Sequence, residues 1–273
     1  MHLLIDGKNI LYRGIYASMN NTKNDHFVAI SRMMYSYLHQ FSSKRVHVFW
    51  DDHKENLWRR EILPDYKDSG CREKSEDIEN KIIKYQTICE EVWANMNIQQ
   101  YHRERMEADD LIYAFCAVVN EPITIVSNDS DLVQIIYRFP HTQIFNPSKK
   151  IICEKPKEDP VVVKCLDGDS TDNIKGYAGI GPKKALKYAQ NPLELNKLFS
   201  EKGPDVYKTN RKLIDLSMCP GFIDNMVYII SQMSSETKFD KKLIIELLYR
   251  KHKIRGIMSE FKTVISPFKM IGE

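Results

Sequence analysis

Residues 106–132, MEADDLIYAFCAVVNEPITIVSNDSDL, carry two separated groups of carboxylates. Glu107, Asp109 and Asp110 open a run whose apolar side is Leu111, Ile112, Ala114, Phe115, Val118 and Val119, the spacing of an amphipathic helix with acids in its first turn. Asp129 and Asp131 follow ITIV, a β-branched run short enough to be a buried parallel strand after the break at Pro122. Acids at a helix N-terminus have an ordinary explanation in the helix dipole. Acids at the carboxyl end of a strand face the crevice where open α/β sheets bind ligands. Asp6 ends the apolar run HLLI, Asp51 ends RVHVFW, and Asp169 and Asp172 lie in a later glycine-rich stretch. The candidate set is therefore Asp6, Asp51, Glu107, Asp109, Asp110, Asp129, Asp131, Asp169 and Asp172, with no histidine or cysteine at ligand spacing. All-oxygen donors suit Mg²⁺ or Mn²⁺ rather than zinc. Such a crevice fits two-metal phosphoryl transfer, one ion acidifying a water and the other stabilising the leaving oxygen. With no nucleophile elbow in the chain, direct hydrolysis by water is the simpler mechanism.

Strand, carboxylate and crossover recur at residues 2–6, 45–51 and 123–131, which predicts an α/β domain with an acidic site at the carboxyl edge of a parallel sheet. Alone, Asp6-Gly7 also reads as a turn. Residues 27–41 read as an amphipathic helix, 98–102 as an edge strand, and 142–145 with 151–153 as a hairpin or paired edge strands. Residues 133–137 finish a helix with Asn128 or Ser130 as candidate caps. Residues 55–84 are dense in charge and poor in aliphatics, so they cannot be core; they form a solvated insertion or a mobile basic element over the site. A boundary falls near 156–160, and residues 161–166 read equally as strand or helix. Several short helices follow to 242 and another spans 243–252; the tail 254–273 reads as solvated or weakly facing DNA.

The second informative stretch is DGDSTDNIKGYAGIGPKKALK, residues 167–187. Its glycines let a backbone approach a phosphate, a helix starts at Pro182, and Lys183, Lys184 and Lys187 add charge attraction. The absence of a GK[ST] ending excludes a Walker loop. This combination fits a grip on a nucleic-acid backbone.

The 273 residues are 42% hydrophobic and 28% charged, with a formal charge of +3. That small sum conceals a basic remainder once the acids are gathered in one site, the distribution an enzyme acting on a polyanion needs. No apolar run approaches 18 residues, and the opening MHLLIDGKN turns acidic too soon for a secretory leader, so a cytoplasmic setting is expected. Six scattered cysteines form no CxxC pair; Cys116 and Cys165 read as core, and neither a zinc site nor a disulfide framework is expected.

The motifs IDG at 5–7, FWD at 49–51, R-x-x-L-P-x-Y-K at 60–67, EADD at 107–110, SNDSDL at 127–132 and GDSTDNIKGYAGIGPKKA at 168–185 stand in the order of one family. The chain resembles the flap endonuclease and 5′–3′ exonuclease family, as found in bacteriophages and in the N-terminal nuclease domain of bacterial DNA polymerase I. The resemblance implies an α/β fold with a PIN-like, mostly parallel central sheet and helices on both faces. It further implies a helical arch and a helix–three-turn–helix DNA-binding motif. Residues 1–160 would be the nuclease core, with the arch region at about 55–95, and residues 161–273 a helical part packed on it. By similarity Asp51, Glu107, Asp109 and Asp129 would hold or orient a first Mg²⁺ or Mn²⁺. Asp131, Asp169 and Asp172 would serve a second, with Asp6 and Asp110 completing the set. Lys67 and Arg72 would contact the scissile phosphate from the arch base, although DSGC separates them where relatives have a shorter step. Arg59, Arg60, Gly176, Gly179, Gly181, Lys183, Lys184 and Lys187 would contact DNA, in many relatives with K⁺ at the glycine loop. The implied substrates are 5′ flaps, nicks and single-stranded branches on duplex DNA, cut by a monomer that works beside replication proteins and no membrane. The alternatives are a non-catalytic branched-DNA-binding protein, which loss of a core acid would mark, and a PIN-type ribonuclease, which would not need the loop at 176–187.

Overall fold

Alternation along the first strand, β1 (His2–Asp6), sets the architecture. Leu3 and Ile5 pack in one core and Leu4 in the other, with His2 beside Phe115 on the Leu4 side, as the two-residue period of a strand requires. The whole strand is buried, the mark of a central strand covered on both faces. The computed structural model describes residues 1–20, 25–68 and 76–271. After β1 come α1 (Gly7–Ser18), α2 (His26–Phe41), β2 (Arg45–Phe49), α3 (Glu76–Trp93), β3 (Ile98–Tyr101) and α4 (Ala108–Val118). Then follow β4 (Ile123–Val126), α5 (Val133–Arg138), β5 (Thr142–Asn146) and β6 (Ile151–Ile152). These strands form one sheet in the order β3-β2-β1-β4-β5-β6, parallel except for the β5–β6 pair at its edge. The strand order reverses between β1 and β4, so the crevice beyond their carboxyl ends is the topological switch point.

Helices α1, α2 and α3 cover the face of Leu3, Ile5, Val46 and Val48; α4 and α5 cover that of Leu4, Phe49, Ile125 and Ile144. On the α4 side His2, His47 and Tyr101 form a buried hydrogen-bonded chain, with His2 Nδ1 and His47 Nε2 2.9 Å apart and His47 Nδ1 3.0 Å from the Tyr101 hydroxyl. The remainder is helical: α6 (Pro160–Asp167), a two-stranded ladder of β7 (Gly168–Asp169) and β8 (Ile174–Lys175), then α7 (Pro182–Gln190), α8 (Pro192–Lys202), α9 (Asp205–Ile214), α10 (Phe222–Met233), α11 (Lys241–Ile245) and α12 (Ile257–Glu260). Helix α10 packs on α4, and α11 runs on into a wider-turned stretch, Glu246–Lys251. No helix among the described residues is long and apolar enough to cross a membrane.

Several expectations change. Asp6-Gly7 is not a turn: Asp6 caps α1, its Oδ1 accepting from Asn9 N at 3.0 Å. A side chain at Gly7 would lie 2.2 Å from the Trp50 ring, so the helix starts there only because the residue is glycine. Neither Asn128 nor Ser130 caps α5 with its side chain; Leu132 precedes the helix, and the Asn128 amide binds Ser148. Residues 161–166 are helical because Asp159 caps Val161 N at 2.9 Å and Pro160 presets the first turn. The charged segment after residue 54 is partly core, since Leu57, Trp58, Arg59 and Tyr66 are buried. The tail is not solvated: Ile254, Ile257, Phe261, Val264, Ile265, Phe268 and Ile271 are buried against the α1–α3 face. At about 1.5–3 kcal/mol for each fully buried large aliphatic or aromatic side chain, this seals that face of the sheet.

Candidate active site

Three of the parallel strands end in a carboxylate or a short acidic loop, and the fold brings those ends together. Asp6 Oδ2 accepts from Ser127 Oγ at 2.9 Å, tying the end of β1 to the loop after β4. Ser127 Oγ also accepts from Asp129 N at 3.0 Å, and Asp129 Oδ1 from Asp131 N at 2.8 Å, so the SNDSD loop folds around its own side chains. After β2, Asp51 Oδ1 accepts from Ala108 N at 2.8 Å, at the free N–H end of α4, and its other oxygen lies 3.3 Å from Lys8 Nζ. Asp169 ends β7 and accepts from Thr171 N at 2.8 Å.

A narrow cavity of about 100 Å³ is lined by Glu107, Asp109, Asp129, Asp131, Asp169 and Asp172, with Tyr66 and Lys67 on its wall. Carboxylate oxygens of Asp131, Asp169 and Asp172 lie within 4.8 Å of one another, a spacing at which one cation reaches all three. The Tyr66 hydroxyl is 3.0 Å from both Glu107 Oε2 and Asp172 Oδ2, so its single proton serves two acids. Lys67 stands at positive φ (60°), its N–H donates to the Asp172 carbonyl at 3.1 Å, and its ammonium reaches Glu107.

The electrostatics divide these acids. Burial, reinforced by Asp51, raises Asp6 to about 6. Burial and Asp131 raise Asp129 to about 6, and burial with the negative charge of Asp129 holds Asp109 well above the carboxylate range. Asp172 also rises to about 6, burial and its acidic neighbours outweighing Lys67. Glu107 goes the other way: burial pushes it up, but Lys67 and Arg59 bring it down to about 2. Burial likewise opposes ionisation of Asp169, and a hydrogen bond from Lys164 overrides it, lowering that group. A cluster with this excess of negative charge and only oxygen donors, buried at Glu107 and Asp172, half-buried at Asp109, Asp131 and Asp169 and open at Asp129, fits hard divalent cations.

Every expected residue but Arg72 has a definite place among the described residues. Asp109, Asp129, Asp131, Asp169, Asp172 and Glu107 converge on the cavity; Asp6 and Asp51 stand behind it at the strand ends. Asp110 does not face it. Its side chain is fully buried and paired twice with Arg59, at 2.8 and 2.9 Å, with Trp58 Nε1 and Glu107 N each donating to it at 3.1 Å. Arg59 in turn is 3% exposed, spans Glu107 (2.6 Å) and Asp110, and donates from Nε to the Leu213 carbonyl at 2.8 Å. Its expected contact with DNA is therefore corrected to a buried brace between the acids and α9. Arg60 is occupied by Asp68 and the Tyr66 carbonyl. Gly176 is required by internal packing, since a Cβ there would lie 2.2 Å from the Asp167 carbonyl oxygen. Gly179 and Gly181 have open space where a Cβ would stand, and Lys183, Lys184 and Lys187 are exposed along α7. Arg72 lies outside the described residues.

Sequence reasoning missed Tyr66, Lys8 and Lys164 as members of the site. Tyr66 had a signal in its place beside Lys67. Lys164 had none, since within VVVKCL it reads as an ordinary polar position of a helix.

Comparison with known proteins places this geometry. The model of the family described as 5′–3′ exonuclease, N-terminal resolvase-like domain, matches residues 1–164. The chain belongs to that family. A 5′–3′ exonuclease of Halalkalibacterium halodurans is 31% identical over 228 residues, covering 73% of this chain and 72% of the relative. The 5′–3′ exonuclease of Mycoplasmopsis pulmonis is 28% identical over 210 residues, covering 72% and 68%. The chain spans about a quarter of the length of the DNA polymerase I relatives it matches in Lactococcus lactis. Among solved structures, the bacteriophage T5 flap endonuclease, in a pseudo-enzyme–product complex with DNA and metal ions, matches with a TM-score of 0.67 at 19% identity. That match covers 90% of this chain and 97% of the other, and it bears on the fold alone. The protein is thus a nuclease of the 5′–3′ exonuclease family, with an α/β fold of the 5′-nuclease architecture and an acidic cluster consistent with divalent-metal binding.

Proposed function

We propose that this nuclease hydrolyses a phosphodiester near the junction of a 5′ flap, nick or branch in duplex DNA, and removes nucleotides from a 5′ end. The observation that carries this is the convergent, under-neutralised set of carboxylates at the sheet's switch point. Asp51, Glu107, Asp109 and Asp129 would hold or orient one Mg²⁺ or Mn²⁺, and Asp131, Asp169 and Asp172 the second, with Asp6 supporting them from β1. When bound, the two ions supply an activated water and neutralise charge developing on the phosphate. The chain's own residues do the positioning. Tyr66 fixes the distance between Glu107 and Asp172. Lys67, whose side chain is 37% exposed, would turn its ammonium from Glu107 to the scissile phosphate, and Arg72, which lies outside the described residues, is read as a second contact to that phosphate. As the water oxygen bonds to phosphorus, the bond to the leaving sugar oxygen breaks, and charge accumulates where these cations point.

Residues 1–160 are read here as a PIN-like core, with the region of about 55–95 contributing a helical arch. Residues 161–273 supply the helix–three-turn–helix and pack on the core, and the protein works as a monomer beside replication proteins. The open turn at Gly179 and Gly181, before the N-terminus of α7, would take a duplex phosphate, with Lys183, Lys184 and Lys187 adding charge. The carbonyls of Ala178 and Gly179 accept from Lys202 Nζ (2.8 Å) and Lys184 Nζ (2.9 Å), so this turn presents oxygens to cations, in keeping with K⁺ there. A PIN-type ribonuclease would not need this grip on a duplex backbone.

The test is cleavage of end-labelled 5′-flap, nicked and single-stranded DNA, with Mg²⁺ and with EDTA, by the native chain and by Asp131→Asn. Cutting at the flap junction that needs Mg²⁺ and is lost in the variant is the expected result. Tight flap binding without cutting under any divalent ion would leave a branched-DNA-binding protein instead.

A further inference from the structure

Lys164 lies near the end of α6, and its ammonium forms ion pairs with both Asp131 and Asp169. Those are two of the three acids whose oxygens lie within reach of one cation. The lysine comes to them from outside: it lines a separate, larger cleft of about 710 Å³ that adjoins the acids at Asp169, beside Lys157, Glu158, Asp167 and Gln190. Its side chain is about as buried as those of its two partners. A divalent ion coordinated at about 2.0–2.6 Å would draw on the same carboxylates that the ammonium now holds, Asp131 through Oδ1 and Asp169 through Oδ2. An ammonium and a divalent ion on the same carboxylates repel each other at this spacing, and the open cleft alongside gives the lysine somewhere to go.

We propose that Lys164 is an intramolecular competitor for the divalent ion at Asp131, Asp169 and Asp172, and that binding of the ion moves its ammonium into the adjoining cleft, to meet a substrate phosphate. The proposal rests on the reading of those three acids as a metal site. Its consequence is a coupling: a phosphate that holds the displaced ammonium also frees the carboxylates, so DNA and metal each strengthen the binding of the other. If the ammonium is seated nine parts in ten, the apparent metal affinity is roughly tenfold weaker than that of the open site. Without the lysine the acids repel one another more strongly, which raises their demand for the metal further.

The experiment is calorimetric titration of Ca²⁺ into the full chain, with and without a 5′-flap oligonucleotide, for the native protein, Lys164→Met, Lys164→Gln and Asp169→Asn/Asp172→Asn. Circular dichroism establishes that each is folded, and Lys164→Gln serves if Lys164→Met is not. The expected result is Ca²⁺ binding about tenfold tighter in the lysine variant than in the native protein without DNA, with a further gain on adding DNA that is about tenfold smaller than the gain the native chain shows. The native chain should gain markedly from DNA. A lysine variant that binds Ca²⁺ no more tightly than the native chain overturns the competition. If the double aspartate variant keeps the full native Ca²⁺ stoichiometry, the metal reading itself falls; if it loses a site while the lysine variant is unchanged, only the role of Lys164 falls.

Discussion

Asp109 and Asp110 are neighbours in the first turn of α4, yet they belong to two regions with opposite electrostatics. Asp110, together with Glu107, Arg59, Trp58 and Tyr66, forms a node in which the buried arginine is matched by buried oxygens at hydrogen-bonding distance. Asp109 shares the cavity with Asp129, with Asp6 behind it, and burial and those charges hold its carboxyl well above the usual carboxylate range. Both regions are rich in acid, the node fully buried and the cavity open to solvent at Asp129. The difference is that the node carries its cation as a side chain, while the cavity has fewer cations than acids. A buried charge left unpaired is tolerated only if it stays protonated or finds an ion from solution. Within one motif, then, EADD divides into a brace and a candidate ligand, and the brace holds the ligand in place.

That division predicts opposite behaviour for two adjacent substitutions. Asp109→Asn should lower Mg²⁺-dependent cleavage more than about a hundredfold while leaving the metal-free melting temperature unchanged or higher, since it removes a repelling charge. Asp110→Asn should do the reverse in stability, because Arg59 loses its bidentate partner inside the protein. A loss of about 3 kcal/mol is expected, or roughly 8 °C in melting temperature for a chain of this size. Calorimetric melting beside a flap-cleavage assay checks both. Equal loss of stability in the two variants would break the comparison.

A second test uses pH. Asp6, Asp129 and Asp172 titrate at about 6 in the metal-free protein. Their ordinary value is 3.8, so between about pH 4 and pH 6 the folded state binds more protons than the unfolded chain. Through that window the metal-free protein loses this contribution to stability as the pH rises. Divalent ions compete with the same protons, so the rise in melting temperature on adding Mg²⁺ should be several degrees larger at pH 7.5 than at pH 5.5. Burial lowers His2 and His47, whose contribution to stability runs the other way, falling as the pH drops below about 6.5. They sit on the α4 face of the sheet and are common to samples with and without metal, so they cancel in the difference. A Mg²⁺-induced shift that is flat from pH 5.5 to 7.5 would mean that the cavity acids are not the groups binding the ion.

How far the sequence exposes this division depends on what neighbouring residues can encode. The strands were legible because ITIV and HLLI are short, β-branched or aliphatic, and followed at once by acids. The cluster was legible for the same reason, since a parallel sheet must gather its carboxyl ends. The division of EADD was not, because it depends on Arg59, which sits in a charged segment that resembles surface and is buried by α9 arriving from much later in the chain. Arg59 therefore looked like a DNA contact. Helix α1 was hidden by the turn-like pair Asp6-Gly7, where an aspartate that caps a helix looks the same as one that makes a turn. The tail was misread for another reason: its isoleucines and phenylalanines are spaced among lysines, and only the α2 surface they cover reveals which side is buried.

The smallest effect lies at the rim of the node. Trp58 Nε1 donates to Asp110 Oδ2 at 3.1 Å, and the ring lies under the Arg59 guanidinium, 4.5 Å from ring centre to Cζ. Trp58→Phe keeps an aromatic face below the arginine and removes the N–H donor and part of the ring. Asp110 still accepts from Arg59 and Glu107 N, so no charge is left bare, and the loss should be about 1–2 kcal/mol. Cleavage should stay within about twofold of native at a temperature where both proteins are folded, because the cavity acids keep their partners. A melting curve and a flap-cleavage rate measured on the same preparation decide the matter. If Trp58→Phe lowers cleavage as strongly as Asp109→Asn does, the node and the cavity are not separable, and Asp110 would have to be counted with the acids that act on the substrate.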